Sequence, residues 1–482
     1  MSTGPATDHV RADRGVSDAP VLAFEDRTYT RSQLDALSAG LADTLRLRGV
    51  RPGGRVAVMS SNRPEFITAV QAIWRLGASA VLISPAWKAD EVARALAVAE
   101  PGHAVGDNPV LAAQMPMLHL DEPIAPAVPS TTAPDPDADA VLVFSSGTTG
   151  MPKAVRHTHR SLGAAVEHWR DALGMTAADR MQIVTPPPHI LGLLNIATAL
   201  SVGAWMRLHR RFDIDTLLAQ IASDQITIEM AVAPIALAMA SHPRPEDYDL
   251  SSLRYIMWCA TPVTDAVADA VTDRTGIGWI SAYGTSEVPV IACCPLTDAR
   301  LDTVGRPLPG LRVRIVSPVT GEILEPGHVG EIQVLSPSAM AGYLPDAETG
   351  GVLRDGWYRT GDIGYLDDGG WLRITDRLKE MIKVRGFQVA PAEVEAVLHG
   401  HPSVRDCAAF GVPDAADGEA VVAAVAASAP VDADELVALV GDRLASYKRP
   451  RHVMFVPEIP RLPSGKALRR VLKEQYGRTS NE

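Results

Sequence analysis

The chain has 482 residues, of which 46% are hydrophobic and 21% are charged, and its formal net charge is −12. This composition is typical of a globular protein with more than one domain. The acidic balance argues against a nucleic-acid partner, because proteins that bind nucleic acid normally present a basic face.

The cysteines and the apolar segments indicate a cytoplasmic protein. The longest apolar stretch, residues 230–240, is too short to cross a bilayer, and segment 1–20 carries no apolar signal core. We therefore expect no membrane span, and a monomer or homodimer. The four cysteines show no metal-ligand spacing and no disulfide framework, which fits a reducing compartment: Cys259, Cys293, Cys294 and Cys407.

Short apolar runs alternate with amphipathic segments over the first half of the chain. Residues 56–59 and 80–83 predict strands, and residues 66–76 and 89–99 predict helices. Such alternation is typical of a parallel sheet with helical crossovers. The same pattern resumes with predicted strands at 181–185, 204–208, 227–233 and 254–257.

A loop suited to polyphosphate follows the apolar run 140–144. The sequence there is SSGTTGMPK, residues 145–153. Glycines let the backbone approach a ligand and point its N–H groups at it, while hydroxyls and a lysine add donors and positive charge. The spacing differs from GxxxxGK[ST] and so disfavours a Walker-type ATPase. The predicted phosphate-binding residues are Ser145, Ser146, Gly147, Thr148, Thr149, Gly150 and Lys153.

The pattern changes after residue 300. Short strands separated by Gly, Pro and Asp turns predict a small β-barrel or sandwich, at 313–316, 330–335 and 371–375. A separate α+β unit follows, in which Pro391 suits the first turn of a helix that ends at Gly400. A helix at 434–444 and a strand at 453–456 complete this unit.

Six segments occur in a specific order along the chain. They read SSGTTGMPK (145–153), PPPHILG (186–192), YGTSE (283–287), YRTGD (358–362), DRLKEMIKVRGFQVAPAEVE (376–395) and PSGKALRR (463–470). Together they resemble the adenylate-forming enzymes: acyl-CoA synthetases, aryl-CoA ligases, luciferase and the adenylation domains of peptide synthetases. Segment 376–395 is most similar to 4-coumarate–CoA ligase and luciferase. The resemblance covers nearly the whole chain.

The resemblance implies a fold and an activity. The fold is a large N-terminal domain (1–376) of parallel α/β sheets with a small β-barrel, and a small mobile α+β domain (377–482). The activity is AMP-forming acid–CoA ligation. A carboxylate has only oxide as its leaving group, whereas attack on the α-phosphate of ATP supplies AMP instead. The expected substrates are ATP with Mg²⁺, a small carboxylic acid and coenzyme A.

The resemblance also implies roles for residues around the nucleotide. Tyr283 would stack on adenine beside Gly284, and Thr285 would donate to the α-phosphate. Glu287 would bind Mg²⁺ as a hard oxygen ligand. Asp362 would accept hydrogen bonds from the ribose and, as is common for Asp in tight turns, would also form the turn. Arg377 would contact ribose and phosphate, and its alternative is an ordinary surface cation.

Two lysines have distinct implied roles. Lys466 would reach the carboxylate and the α-phosphate during adenylation only, as a charge-stabilising group. Lys379 would be the hinge about which the small domain rotates after that step. The rotation would remove Lys466 and bring Lys383 and Gln388 to the active site.

The acyl pocket departs from the family pattern. A glycine-containing SGAAP or GGAAP segment is usual where this chain has Trp258, Cys259 and Ala260. Pro188 stands where the family commonly has an aromatic residue before the histidine. His189 itself fits the family's gate between the ATP and acyl sites, and the alternative is a structural histidine. These departures argue against a wide tunnel for a fatty chain and favour a small or aromatic acid, with or without an amino group.

Glu229 interrupts the apolar run 226–233, where the family builds its acyl pocket. It would recognise an amino or hydroxyl group of the substrate. The alternative, which we favour slightly from the sequence, is a half-buried acid paired with an arginine.

Two other functions compete with acid–CoA ligation. The first keeps the adenylation and changes the acceptor to an amine, a carrier protein or nitrite, giving an amide synthetase, a carrier-loading enzyme or a diazo-forming ligase. The second is a binding protein without catalysis. Five intact residues argue against the second function: Lys153, Glu287, Asp362, Arg377 and Lys466.

Overall fold

A computed structural model describes residues 19–129, 133–145, 153–259, 265–378, 380–384, 387–414, 418–461 and 467–476. Its contacts divide the chain into two compact units. The first unit contains the described residues up to Arg312 together with Val334–Tyr358. The second contains Val313–Gln333 and the described residues from Arg359 onward.

The first unit contains a seven-stranded sheet that ends in an antiparallel hairpin. Its central strands are continuous apolar runs, as is usual for parallel strands covered on both faces. The two strands of the hairpin contain Ser145 and Lys153, the ends of the SSGTTGMPK segment. In spatial order the strands are Gly342–Leu344, Lys153–Thr158, Asp139–Ser145, Ser79–Leu82, Arg55–Met59, His103–Gly106 and Met117–His119.

A nine-stranded sheet completes the first unit. The six strands from Trp279–Tyr283 to Pro20–Phe24 are parallel neighbours, so their carboxyl ends meet at one edge. In spatial order the strands are Arg306–Pro307, Ala292–Cys293, Trp279–Tyr283, Tyr255–Trp258, Ile228–Ala231, Arg180–Ile183, Trp205–Leu208, Pro20–Phe24 and Arg27–Thr30.

Helices cover these sheets and connect their strands. Thr158 caps the helix that follows the phosphate-loop hairpin, because its hydroxyl accepts a hydrogen bond from the Ser161 N–H. The indole of Trp74 donates to the Ala140 carbonyl at 2.8 Å and fixes a second helix to the sheet. The helices are Arg31–Leu47, Pro64–Arg75, Ala89–Ala99, Pro109–Ala112, His159–Leu173, Ile190–Val202, Ile214–Asp224, Ala233–Ser241, Asp265–Thr275 and Thr349–Val352.

Two further small sheets are formed by later strands of the chain. The first has the order Arg312–Val316, Gly330–Leu335, Trp357–Leu366 and Leu353–Arg354, with Leu372–Arg377 also paired to Trp357–Leu366. The second has the order Phe387–Val389, Ile382–Val384, Gly418–Ala427 and Val404–Asp414, with His452–Phe455 paired to Gly418–Ala427. Apolar clusters cover both faces of the second sheet, and three helices belong to it: Pro391–His399, Ala433–Arg443 and Arg469–Tyr476.

The expected fold class is confirmed, and most predicted elements lie within a few residues of their observed positions. The helix that begins at Pro391 ends at His399, just before Gly400. The barrel or sandwich and the boundary at residue 376 stay predictions; the contacts group residues 359–376 with the later part of the chain. Within the described ranges, no helix combines the length and apolarity needed to span a bilayer.

Candidate active site

The ends of the phosphate-binding segment lie opposite each other. Ser145 ends one strand and Lys153 begins the next, and the two residues face each other in the antiparallel hairpin. Lys153 forms an ion pair with Glu348, and its Nζ lies 5.5 Å from the centroid of the Tyr343 ring. A cation therefore stands at one end of this segment. The remaining predicted residues, Ser146, Gly147, Thr148, Thr149 and Gly150, lie outside the described residues.

The segment Tyr283–Glu287, here called the YGTSE turn, follows a central strand of the nine-stranded sheet. Gly284 is required there, because a Cβ at this position would lie 2.0 Å from the Pro289 carbonyl oxygen. The Thr285 N–H donates to the Val288 carbonyl, and the Val288 N–H donates to Thr285 Oγ1, both at 3.0 Å. These bonds fix the position of the Thr285 hydroxyl.

Glu287 is held by a tyrosine from the other sheet of the same unit. The Tyr343 hydroxyl donates to Glu287 Oε1 at 2.8 Å, and only 8% of Glu287 is exposed. Burial, followed by the nearby Glu287 carboxylate, raises the pKa of Tyr343, so the phenol keeps its proton. Tyr358 is also buried, and burial followed by the nearby Glu287 carboxylate raises the pKa of its phenol.

The donor set around Glu287 fits magnesium brought in with a nucleotide. The described residues contain no group of three or more side chains able to hold a metal ion. Mg²⁺ is commonly bound by one or two carboxylates, with water and substrate phosphates completing its octahedron. Glu287 supplies one such carboxylate beside the phosphate-loop hairpin, so the residues present fit a Mg²⁺–triphosphate complex.

Replacing Tyr343 with phenylalanine is expected to raise the Mg²⁺ concentration for half-maximal activity by about three- to tenfold, because Glu287 loses the bond that orients it. The ring and its packing are retained, so Tm should change little. A Mg²⁺ titration of pyrophosphate release at saturating ATP measures the effect. An unchanged half-saturation point would exclude an orienting role for Tyr343.

The predicted acyl-pocket segments emerge at the same sheet edge as the YGTSE turn. The strand before PPPHILG pairs in parallel with Ile228–Ala231, which pairs in parallel with the strand before Cys259. That strand pairs in parallel with the strand that leads into the YGTSE turn, so all these strands end at the same edge. His189 directly precedes helix Ile190–Val202 and is solvent-exposed. Gly192 lets this helix touch the preceding turn, since a Cβ would lie 2.4 Å from the Pro186 carbonyl oxygen.

Trp258 and Cys259 form a buried wall at this edge. The Trp258 and Trp279 rings are tilted at a centroid distance of 4.9 Å, and both residues are buried. Cys259 is also buried, and burial raises the pKa of its thiol to about 12. The thiol therefore stays protonated and acts as a small apolar group, not as a nucleophile. Ala260 lies outside the described residues.

Glu229 lies inside its strand and is fully buried. Gln182 Nε2 donates to Glu229 Oε2 at 3.0 Å and to the Leu217 carbonyl at 3.2 Å, and Gln182 Oε1 lies 2.5 Å from His209 Nε2. The expectation of a half-buried acid paired with an arginine is therefore wrong: the partner is an amide. Burial raises the pKa of Glu229 to about 8, so the carboxyl is mostly protonated at pH 7.

Glu229→Gln is expected to change how stability depends on pH. The folded protein holds a proton that the unfolded chain releases near pH 4.5, so this group's contribution to stability falls as pH rises from about 4.5 to about 8. A glutamine does not ionise, so the variant should not lose this stability as the pH rises. The difference in Tm between variant and parent should therefore grow by about 3 °C or more, in favour of the variant, from pH 5 to pH 8. Thermal melts across that range measure it.

Exposed Glu325 offers a matched control as Glu325→Gln, which should leave the pH profile of Tm unchanged. A parallel decline of Tm in parent and Glu229→Gln would show that Glu229 ionises normally. The same variant tests substrate recognition: a changed preference among acids would support a pocket role for Glu229, and an unchanged preference would remove it.

The second unit holds the remaining predicted residues. Asp362 is 3% exposed and lies opposite Arg377 in an antiparallel strand pair. Lys383 lies opposite Gln388 in a short hairpin. These backbone positions are described, whereas the side chains of Arg377, Lys383 and Gln388, and all of Lys379 and Lys466, lie outside the description. Their roles stay predictions.

Sequence reasoning missed the residues that support the turn. Tyr343 and His157 contact it, and Glu348 pairs with Lys153. The local signal for His157 was weak, because its strand, KAVRHT, also contains Lys153, Arg156 and Thr158. Tyr343 gave no comparable signal, because its contact depends on which strand forms the edge of the sheet.

Comparisons with known proteins agree over both parts of the chain. The sequence profile described as "AMP-binding enzyme" matches residues 9–344, and "AMP-binding enzyme C-terminal domain" matches residues 393–466. 4-Coumarate–CoA ligase 1 of Solanum tuberosum is 34% identical, covering 93% of this chain and 89% of the relative. Feruloyl-CoA synthase of an Amycolatopsis species is 33% identical, covering 97% of this chain and 98% of the relative.

Solved structures show the same fold over the whole length. ATP-bound MatB of Rhodopseudomonas palustris superposes with a TM-score of 0.92 at 26% identity, covering 99% of each chain. The amide bond synthetase McbA of Marinactinospora thermotolerans superposes with a TM-score of 0.89 at 32% identity, covering 98% of this chain and 100% of McbA.

Proposed function

The chain belongs to the AMP-binding enzyme family, and on that premise we propose that it activates a carboxylic acid with ATP and transfers the acyl group to coenzyme A. In the first step a carboxylate oxygen attacks the α-phosphorus, the bond to the β-phosphate oxygen breaks, and pyrophosphate leaves. In the second step the CoA sulfur attacks the acyl carbon, AMP leaves, and the thiol proton passes to solvent.

One observation carries the proposal. The phosphate-loop hairpin and the YGTSE turn are joined through Tyr343, which contacts both Lys153 and Glu287. A cation and a carboxylate are thus held beside a fixed Thr285 hydroxyl, and this arrangement suits a Mg²⁺–triphosphate. Phosphoryl chemistry needs mainly such positioning and charge neutralisation.

We assign these residues separate tasks. Lys153 would neutralise the outer phosphates, and Thr285 would donate to the α-phosphate where charge develops during attack. Glu287 would hold Mg²⁺, which when bound neutralises phosphate charge. Asp362 and Arg377 would bind the ribose, and Lys466 would bring the carboxylate and the α-phosphate together. A cytoplasmic location and a monomeric or dimeric state belong to the same proposal.

We propose a small or aromatic acid as the substrate. The names of two relatives, 4-coumarate–CoA ligase and feruloyl-CoA synthase, specify aromatic acids for those proteins. In this chain Cys259 adds a buried side chain beside Trp258, where the family usually has a glycine. The added volume narrows the pocket and disfavours long alkyl chains.

Amide formation is the second candidate, supported by the 32% identity and full-length superposition with an amide bond synthetase. In that reaction an amine nitrogen would attack the acyl-adenylate in place of the CoA sulfur. The adenylation residues are the same in both reactions, so the acceptor alone distinguishes the two candidates.

Mass spectrometry of the products tests the acceptor. The protein is incubated with Mg²⁺–ATP and each of a set of acids, including 4-coumarate, ferulate and 2-aminobenzoate, with CoA, with an amine, or with neither. We expect an acyl-adenylate without acceptor and an acyl-CoA thioester with CoA. An amide together with no thioester would replace CoA ligation by amide synthesis.

A further inference from the structure

A fully buried histidine lies in the strand that follows the phosphate-binding segment. His157 is 0% exposed and belongs to strand Lys153–Thr158. Side chains four positions apart in a strand lie on the same face, so His157 shares a face with Lys153. Tyr343 pairs with Val155 between them, which places Tyr343 on this face as well.

The hydrogen bonds of His157 define its protonation state. Nε2 lies 2.8 Å from the Ser286 carbonyl oxygen, which can only accept, so Nε2 carries the hydrogen. Nδ1 lies 3.3 Å from Ser161 Oγ, whose hydroxyl can donate to it. Burial lowers the pKa of His157, which agrees with a neutral ring held in one tautomer.

Ser286 lies between the two residues of the turn with assigned tasks. Its neighbours are Thr285, assigned to the α-phosphate, and Glu287, assigned to Mg²⁺. The Glu287 carboxyl is already held by Tyr343 at 2.8 Å. The carbonyl one residue earlier is held by His157. One sheet face thus fixes the turn at two consecutive residues.

We propose that His157 is a positioning residue for Mg²⁺–ATP: its Nε2–H holds the Ser286 carbonyl and thereby sets the directions of Thr285 and Glu287. This inference rests on the proposed function in one respect: that the YGTSE turn binds Mg²⁺–ATP. His157 does not touch substrate in this account, because it acts through the backbone of Ser286. A histidine that only filled the core would affect stability and leave nucleotide binding unchanged.

Three substitutions of His157 separate positioning from packing. His157→Leu removes the hydrogen bond, His157→Asn keeps a polar group that is too short to reach Ser286, and His157→Gln offers an amide N–H close to the position of Nε2. His242→Leu is the matched control, because His242 is also buried and its Nε2 is bonded to Asp215, not to the turn.

Calorimetric titration with Mg²⁺–ATP, which needs no carboxylic acid, is the primary measurement. We expect Kd to rise about tenfold in His157→Leu and His157→Asn and to return to within about threefold of the parent in His157→Gln. The KM for the acid should stay within about twofold. His242→Leu should lower Tm without changing Kd.

Opposite results would overturn the proposal. A parental Kd in both His157→Leu and His157→Asn, or a His157→Gln variant as weak as His157→Asn, would leave His157 as a packing residue. If His157→Leu does not fold, the Kd values of His157→Asn and His157→Gln for Mg²⁺–ATP decide whether His157 positions the turn. A parent that binds Mg²⁺–ATP but releases no pyrophosphate with any acid would refute the proposed function, and the Kd values would still decide the role of His157.

Discussion

Replacing Lys466 with alanine is expected to lower carboxylate-dependent pyrophosphate release by about 10²- to 10³-fold, the usual cost of removing one group that stabilises developing charge. The affinity for Mg²⁺–ATP should stay within about threefold, because the triphosphate is assigned to Lys153 and the YGTSE turn. Lys466 lies outside the described residues, so this prediction rests on its position in PSGKALRR.

The same variant should keep the second half of the reaction. Given a synthetic acyl-adenylate and CoA, Lys466→Ala is expected to form thioester at close to the parental rate, since Lys466 is assigned to adenylation alone. Lys473→Ala is the matched control, because Lys473 is exposed in the neighbouring helix Arg469–Tyr476. Equal loss in both half-reactions would mean that Lys466 supports folding or domain arrangement instead of adenylation.

Glu287→Gln is expected to reduce kcat/KM for ATP by about a hundredfold or more, because a neutral amide is a poor ligand for Mg²⁺. Glutamine keeps the volume of the side chain and an oxygen that accepts from Tyr343, so Tm should change little. The loss should shrink as Mg²⁺ is raised, and a matrix of Mg²⁺ and ATP concentrations measures this.

The exposed Glu325→Gln control should match the parent throughout that matrix. Should Glu287→Gln show the parental Mg²⁺ dependence, Glu287 is not the metal ligand, and the account of the turn as a Mg²⁺–triphosphate site fails. A large drop in Tm with a normal Mg²⁺ dependence would assign Glu287 to the fold.

The sequence predicts the strands that place the site because their signals are local. The apolar runs before SSGTTGMPK and PPPHILG are observed as strands Asp139–Ser145 and Arg180–Ile183. Strand Trp279–Tyr283, which was not predicted, brings YGTSE to the same sheet edge as PPPHILG through parallel pairing. Gly284 and Gly192 are local features too, since each permits a close approach between nearby backbone segments.

The supporting contacts depend on distant pairings and are not readable from local patterns. Tyr343 reaches Glu287 across 56 positions, and His157 reaches Ser286 across 129. The contact of Tyr343 depends on Gly342–Leu344 forming the edge strand beside the hairpin. No periodicity within either segment specifies that pairing.

Glu229 shows a different limit. A buried acid suggests a cationic partner, because an unpaired buried charge is very unfavourable. The structure meets the same requirement by another route: the carboxyl holds its proton and bonds to the Gln182 amide. Composition does not distinguish these solutions, since both leave one acidic residue in an apolar run.

We propose above all that the chain couples a carboxylic acid to cleavage of ATP between the α- and β-phosphates. Pyrophosphate release, measured over a panel of aliphatic, aromatic and amino-aryl acids with and without CoA, tests it most directly. We predict that at least one small or aromatic acid releases pyrophosphate and that CoA accelerates turnover with a thioester as the product. Pyrophosphate release that no acid in the panel raises above the acid-free rate would contradict the claim.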